Sequence, residues 1–182
     1  ISNNIANSQT TGFKRQRAEF QDLLYQNVRR QGSTTSDANT VVPSGIQIGA
    51  GVRPAAIYRV SVQGAITVTD NKLDLAVNGN GWFPILLPSG ETAYTRAGAF
   101  QLSSTGTLVT ADGYQLQPTI TIPANTVDIT ISASGQVQAK LDGAANPVQV
   151  GQIQLANFPS EGSLEAIGNN LYLETPSSGA PT

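Results

Sequence analysis

Apolar and polar residues alternate with a period of two along most of this chain, and the exceptions fall in its first third. From Val52 onward short alternating runs recur: LDLAV (73–77), WFPILL (82–87), TAYTR (92–96), AFQL (99–102), TLVTA (107–111) and YQLQP (114–118). The segments between them are Asn78-Gly79-Asn80-Gly81, Ser89-Gly90, Ser103-Ser104-Thr105-Gly106 and Asp112-Gly113. Each is a turn composition: Gly accepts φ > 0 at no steric cost, and Asn, Asp and Ser bond their own backbone. VDITISASGQVQAKLDG (127–143) predicts another hairpin, turning at Ser134-Gly135, and VQVGQIQLANF (148–158) a late strand. AIYRVSV and AITVT, within Ala56 to Lys72, predict a hairpin-like pair turning at Gln63-Gly64. Short strands at this spacing predict an antiparallel β domain from about Leu73 to Phe158. Pro84 cannot donate to a ladder, which predicts that its strand lies at a sheet edge or carries a bulge.

The first third follows other rules. Ile1, Ile5 and Ala6 are spaced as on a helix closed by Thr11-Gly12, and read as the last turns of a helix whose beginning is absent. The chain contains no Met and so reads as a piece of a longer one. In KRQRAEFQDLLYQNVR (14–29), Phe20, Leu24 and Val28 recur four apart beside Leu23, which predicts a short amphipathic helix. The alternative is an extended segment docked on a neighbour. Residues 31–51, QGSTTSDANTVVPSGIQIGAG, have no period, and a structureless stretch of that length is uncommon inside a compact domain. It is expected to be ordered by a partner or not at all. Residues 159–170 read as irregular with a helical turn at SLEAI, and NLYLET (170–175) as a return to strand. The fold class is therefore mainly β: an antiparallel β domain of short strands, with an extended hairpin and loop connecting domain that carries one or two short N-terminal helical segments. The expected divisions are 1–72, 73–158 and 159–182.

Composition narrows the function. The chain has neither His nor Cys. That removes the commonest general base, thiolate metal sites and disulfides, and weighs against most enzyme classes. Residues 1–59 carry seven basic and three acidic groups, whereas residues 60–182 carry three and nine. No Lys/Arg cluster in the basic third is interleaved with stacking aromatics, so nucleic acid is not expected, and association between oppositely biased parts of neighbouring copies is. GIQIGAGV and NGNGWF contain Gly-x-Gly but complete no phosphate-binding pattern, and read as turns. Asp70 and Asp74 read as solvated turn carboxylates, without the ligand spacing of a calcium loop. Tyr94, Arg96 and Phe100 read as core plus a satisfied Arg, and Trp82-Phe83 as core packing. A secreted adhesion or carbohydrate-binding module would instead line a groove with Trp82, Tyr94 or Tyr114. No catalytic constellation, metal site, cofactor or small-molecule substrate is expected.

The opening SNNIANSQTTGFKRQRAEFQDLLYQ resembles the N-terminal signature of the flagellar axial family of rod, hook and hook-associated proteins. The matching positions are Ser2, Asn3, Asn4, Ile5, Ala6, Asn7, Thr11, Gly12, Phe13 and Lys14. LDLAVNGNGWF, YTRAGAFQLSSTGTLVTADGYQL and NNLYLETPSSGAP resemble that family's later motifs. FKRQRAEFQDLLYQ, the stretch ending PSGIQIGAGVRP, and QPTITIPANTVDITIS point within it to the distal-rod branch, with hook and proximal rod subunits as the alternatives. The resemblance implies a structural subunit, exported by the flagellar type III apparatus, that polymerises into a helical tube across the periplasm. Its partners would be further copies of itself and the proximal rod, hook and ring proteins of the basal body. It also implies long terminal helices that make the polymerisation core; this chain has only a stub of them and is expected to be monomeric. The stretch containing Ser33, Thr34, Thr35, Asp37, Asn39, Val41, Pro43 and Gly45 is expected to brace stacked subunits.

Overall fold

The computed structural model describes residues 2–29 and 46–182. It divides into two compact units, Arg15–Val60 and the union of Ile1–Lys14 with Ser61–Thr182. Both are built almost wholly from antiparallel strands, in agreement with the expected fold class. Among the described residues no helix is long and apolar enough to cross a membrane.

The smaller unit corrects two expectations. Residues 14–29 form no helix; they give β1 (Gln16–Asp22) and β2 (Tyr25–Arg29). A spacing of four satisfies a period of two as well as one of 3.6, so the stripe Phe20, Leu24 and Val28 could not separate strand from helix. The expected hairpin over 56–69 is also absent. Its first half belongs to β4 (Val52–Arg59), which pairs with β1, while residues 60–69 join no ladder. The aperiodic stretch ends in order: β3 (Ile46–Gly49) pairs with β2. The remaining bracing positions, Ser33 to Gly45, lie outside the described residues.

Register makes the β1–β4 ribbon two-faced. Ala18 opposes Ile57, Phe20 opposes Pro54 and Asp22 opposes Val52, so one face is mainly apolar. Arg17, Glu19, Gln21 and Arg53 share the other with Ala56 and Tyr58. Yet Phe20, Val52 and Ile57 are each about two-thirds exposed, at 66%, 67% and 67%. A two-stranded ribbon is marginal by itself in water, and this one leaves its apolar face bare.

The larger unit contains a seven-stranded sheet of order β13-β14-β6-β5-β9-β8-β7. Its strands are β5 (Phe83–Leu86), β6 (Thr92–Thr95), β7 (Gln101–Leu102), β8 (Leu108–Val109), β9 (Gln115–Leu116), β13 (Glu165–Gly168) and β14 (Leu171–Leu173). A second sheet orders β10 (Thr126–Ile131), β11 (Gln136–Leu141) and β12 (Val148–Gln152) consecutively, with the expected turn at Ser134-Gly135. Alternation along β5 sends Phe83 and Ile85 to one face, where they join Phe100, Leu116 and Val137 in the main core. The opposite face holds Trp82 and Tyr94, covered by Phe158, Leu164 and Tyr172 of the return segment.

Three smaller corrections follow. β5 lies between β6 and β9, so Pro84 sits on neither an edge nor a bulge. Its carbonyl accepts the Gln117 N–H at 2.8 Å at the end of the β9 register, where a missing donor costs least. Leu73 to Val77 form no strand, only a single bridge between Asp74 and Ala99. SLEAI is not a helical turn: a 3-10 turn covers Glu161–Ser163, and Glu165–Gly168 is β13.

Candidate assembly site at the N-terminal signature

The signature splits into an exposed half and a docked half. Ser2–Ala6 form α1, a helix of 5 residues whose Asn3, Ile5 and Ala6 are exposed. Asn7 closes it, its backbone N–H and its Nδ2 both donating to the Asn3 carbonyl at 3.1 and 2.9 Å. Thr10 Oγ1 then donates to Asn7 Oδ1 at 3.3 Å, and the Phe13 N–H to the Thr10 carbonyl at 3.2 Å. Asparagine suits these positions because its side chain can satisfy a carbonyl left open at a helix end.

Thr11 and Gly12 lie against the β13–β14 turn and the backbone that follows β6. Gly12 has φ 73, and a Cβ added there would lie 2.6 Å from the Ala97 backbone nitrogen. Only glycine tolerates both that φ and that approach. The Thr11 carbonyl accepts from Asn170 Nδ2 at 3.1 Å, across 159 residues of sequence. Asn170 stands in the two-residue turn between β13 and β14, where Asn169 and Asn170 take φ 50 and 57, the left-handed pair this hairpin type needs. Thr95 Oγ1 donates to the Asn170 carbonyl at 2.9 Å and accepts from the Ala97 N–H at 3.1 Å. A cavity of about 220 Å³ lies under this joint, lined by Thr10, Thr11, Thr95, Asp112, Asn169 and Asn170 among others.

Two cations flank the joint. Lys14 Nζ donates to the Val62 and Ser61 carbonyls at 3.0 and 3.4 Å. The Arg96 guanidinium donates from both Nη atoms to the Gly79 carbonyl, and its Cζ lies 5.6 Å from the Trp82 ring centroid. Burial lowers the pKa of Lys14, Arg96 repels it further, and Glu161 partly offsets both. Burial likewise lowers Arg96, against the raising effect of Glu161. These cations hold backbone carbonyls; they do not present a nucleophile.

The other sequence candidates resolve into packing. Asp74 accepts from Thr69 Oγ1 at 2.9 Å and Asn71 Nδ2 at 2.8 Å, a turn carboxylate as expected. Trp82 meets Tyr172 edge-on at 4.9 Å and Tyr94 meets Phe158 at 4.7 Å, so neither ring lines a groove. Among the described residues no group of three or more Asp or Glu could hold a metal ion. Sequence reasoning missed Asn170, Thr95 and Ala97 as partners of the signature. The Asn-Asn pair before Leu171 was the available signal, since two left-handed residues in a row favour it.

Residues 76–139 match the family described as the flagellar hook protein FlgE/F/G D1 domain. The flagellar basal-body rod protein FlgG of Caulobacter vibrioides is 63% identical over 182 residues, all of this chain and 70% of that relative. The chain belongs to the flagellar basal-body rod protein FlgG family. The corresponding FlgG of Agrobacterium fabrum is 50% identical over 181 residues, covering 100% of this chain and 69% of the relative. The flagellar hook protein FlgE of Treponema pallidum is 43% identical but over only 119 residues, 64% of this chain. Correspondence along the whole of this chain therefore lies with the FlgG rod proteins, as the distal-rod resemblance anticipated. The same family membership disfavours the adhesion-module alternative.

Proposed function

We infer that this chain is a structural subunit of the distal rod, one that polymerises with further copies into a helical tube and carries torque from motor to hook. Similarity to FlgG rod proteins along the whole of this chain is the observation that carries this reading. The bare apolar face of the β1–β4 ribbon supports it, because a repeated heterologous contact is what builds an open helical polymer. The proximal rod, hook and ring proteins are the partners this role requires. The tube would cross the periplasm after export by the flagellar type III apparatus, and the chemistry is mechanical, not enzymatic. In this role the exposed Asn3, Ile5 and Ala6 meet neighbours, Asn4 and Asn7 shape the helix that presents them, and Thr11, Gly12, Phe13 and Lys14 fix the joint. The segment from Ser33 to Gly45 braces stacked subunits.

The test is deletion of the coding region in the source bacterium, followed by electron microscopy of purified basal bodies. Rods that stop short and carry no hook are expected; complete rods with hooks overturn the reading. The brace has its own test. Removing residues 34–48 from the full-length protein should give a curved polymer, and a straight one refutes that role.

A further inference from the structure

The turn Asn78-Gly79-Asn80-Gly81 holds two Asn-Gly steps, and the fold treats them differently. Such a step is chemically labile. The glycine nitrogen, once it loses its proton, attacks Cγ of the preceding asparagine. A C–N bond forms, the side-chain amide nitrogen leaves as ammonia, and a five-membered succinimide results. Water then opens either carbonyl of that ring, giving aspartate or isoaspartate, so water is the only co-reactant and no electrons change hands. Glycine favours the attack because it has no Cβ to obstruct it; whether it occurs depends on solvent access and freedom of the step.

Gly79 is exposed at φ 96, and a Cβ added there would meet nothing within 4 Å. Gly81 is buried, and a Cβ added to it would lie 3.1 Å from both Cβ and Cδ1 of Leu155. The following residue is locked as well: the Trp82 N–H donates to the Ala156 carbonyl and the Ala156 N–H to the Trp82 carbonyl, both at 2.9 Å. The geometry points to Asn78 as a site of spontaneous deamidation, and to Asn80 as a site the fold protects. The product places a carboxylate one residue before the carbonyl that Arg96 grips. Among the described residues Arg96 is in no salt bridge, although Glu161 acts on it electrostatically, so this modification adds a further negative charge beside the carbonyl it holds. The isoaspartate form adds a methylene to the backbone and shifts that carbonyl from its donors.

The native chain is incubated in mildly alkaline buffer, and fragment mass spectra of the peptide spanning the turn are read over time. Conversion at Asn78 is expected to run about tenfold or more faster than at Asn80, because reaction at Asn80 waits for local opening. In denaturant the two rates should converge. Equal rates in the folded chain overturn the proposal, as does an Asn78 that stays intact while the denatured chain converts. Leu155→Gly removes both Leu155 atoms packed over Gly81 and is expected to raise the Asn80 rate; an unchanged rate refutes the account of its protection. Leu155 is 40% exposed, so this variant keeps the core intact.

Discussion

Gly12→Ala should release the signature from the sheet while leaving the β domain folded. Two costs add. A non-glycine residue at φ 73 is disfavoured by about 1–2 kcal/mol. The new Cβ would also lie 2.6 Å from the Ala97 nitrogen, a backbone atom that cannot swing aside, so the turn must lift. Lifting it forfeits the Asn170–Thr11 hydrogen bond, worth about 0.5–1.5 kcal/mol net. Together these give about 1.5–3.5 kcal/mol against docking, a factor of roughly 10 to 400 in the ratio of docked to undocked chain. Tryptic cleavage after Lys14 reads that population when opening is fast relative to cutting. Asn170→Gly removes the side-chain hydrogen bond while tolerating φ 57, and should speed cleavage about fivefold. The double variant should fall short of the product of the single effects, because both act on one joint. If Gly12→Ala is cut no faster than the unaltered chain, the joint does not hold the signature.

Three further outcomes test the core and its surface. Gly98→Ala would put a Cβ 1.7 Å from the Leu75 carbonyl oxygen, and should lower stability by about 3–4 kcal/mol in urea titration; an unchanged midpoint refutes the close approach. Ile85→Ala, at a fully buried position, should cost about 2–5 kcal/mol, whereas Val127→Ala, 68% exposed, should stay within about 0.5 kcal/mol in the same titration. Lys72 and the Ile129 N–H hold the Asp128 carboxyl below its ordinary value, so its contribution is present above the usual carboxylate pKa and is lost as pH falls through the depressed one. The stability difference between the unaltered chain and Asp128→Asn should therefore shrink in acid, and a difference that grows there contradicts the pairing.

The β domain was legible because its signals are local. Alternation over WFPILL and TAYTR, with Asn-Gly, Ser-Gly and Asp-Gly between strands, is decided within a few residues, and those strands stand where expected. The first third failed where the deciding interaction is distant. AIYR pairs with QRAE some 40 residues earlier, not with AITVT next to it, and no local pattern reports that choice. Pro84 misled for a related reason: the rule against proline in central strands concerns its missing donor, and here the neighbouring ladder stops where that donor would be needed. Of the site, Gly12 reads in the sequence as a helix stop, whereas the helix ends at Ala6, and its close approach to Ala97 exists only once the 84 intervening residues have folded back.

That fold-back bears on how a rod subunit transmits load. Phe20, Val52 and Ile57 show that the ribbon has little core of its own, whereas the larger unit has two packed cores. On the proposed role, load entering through the exposed signature helix has a short route into the larger unit: Thr11 to Asn170, Asn170 to Thr95, and Thr95 into β6, an interior strand of the seven-stranded sheet. β6 pairs with both β5 and β14, so force arriving there is shared across two ladders. A joint of hydrogen bonds alone would shear. Gly12 also brings the two backbones so close that a Cβ there would overlap the Arg96–Ala97 backbone, so no side chain separates them. The glycine thus fixes the position of the joint, and the asparagine fixes its orientation.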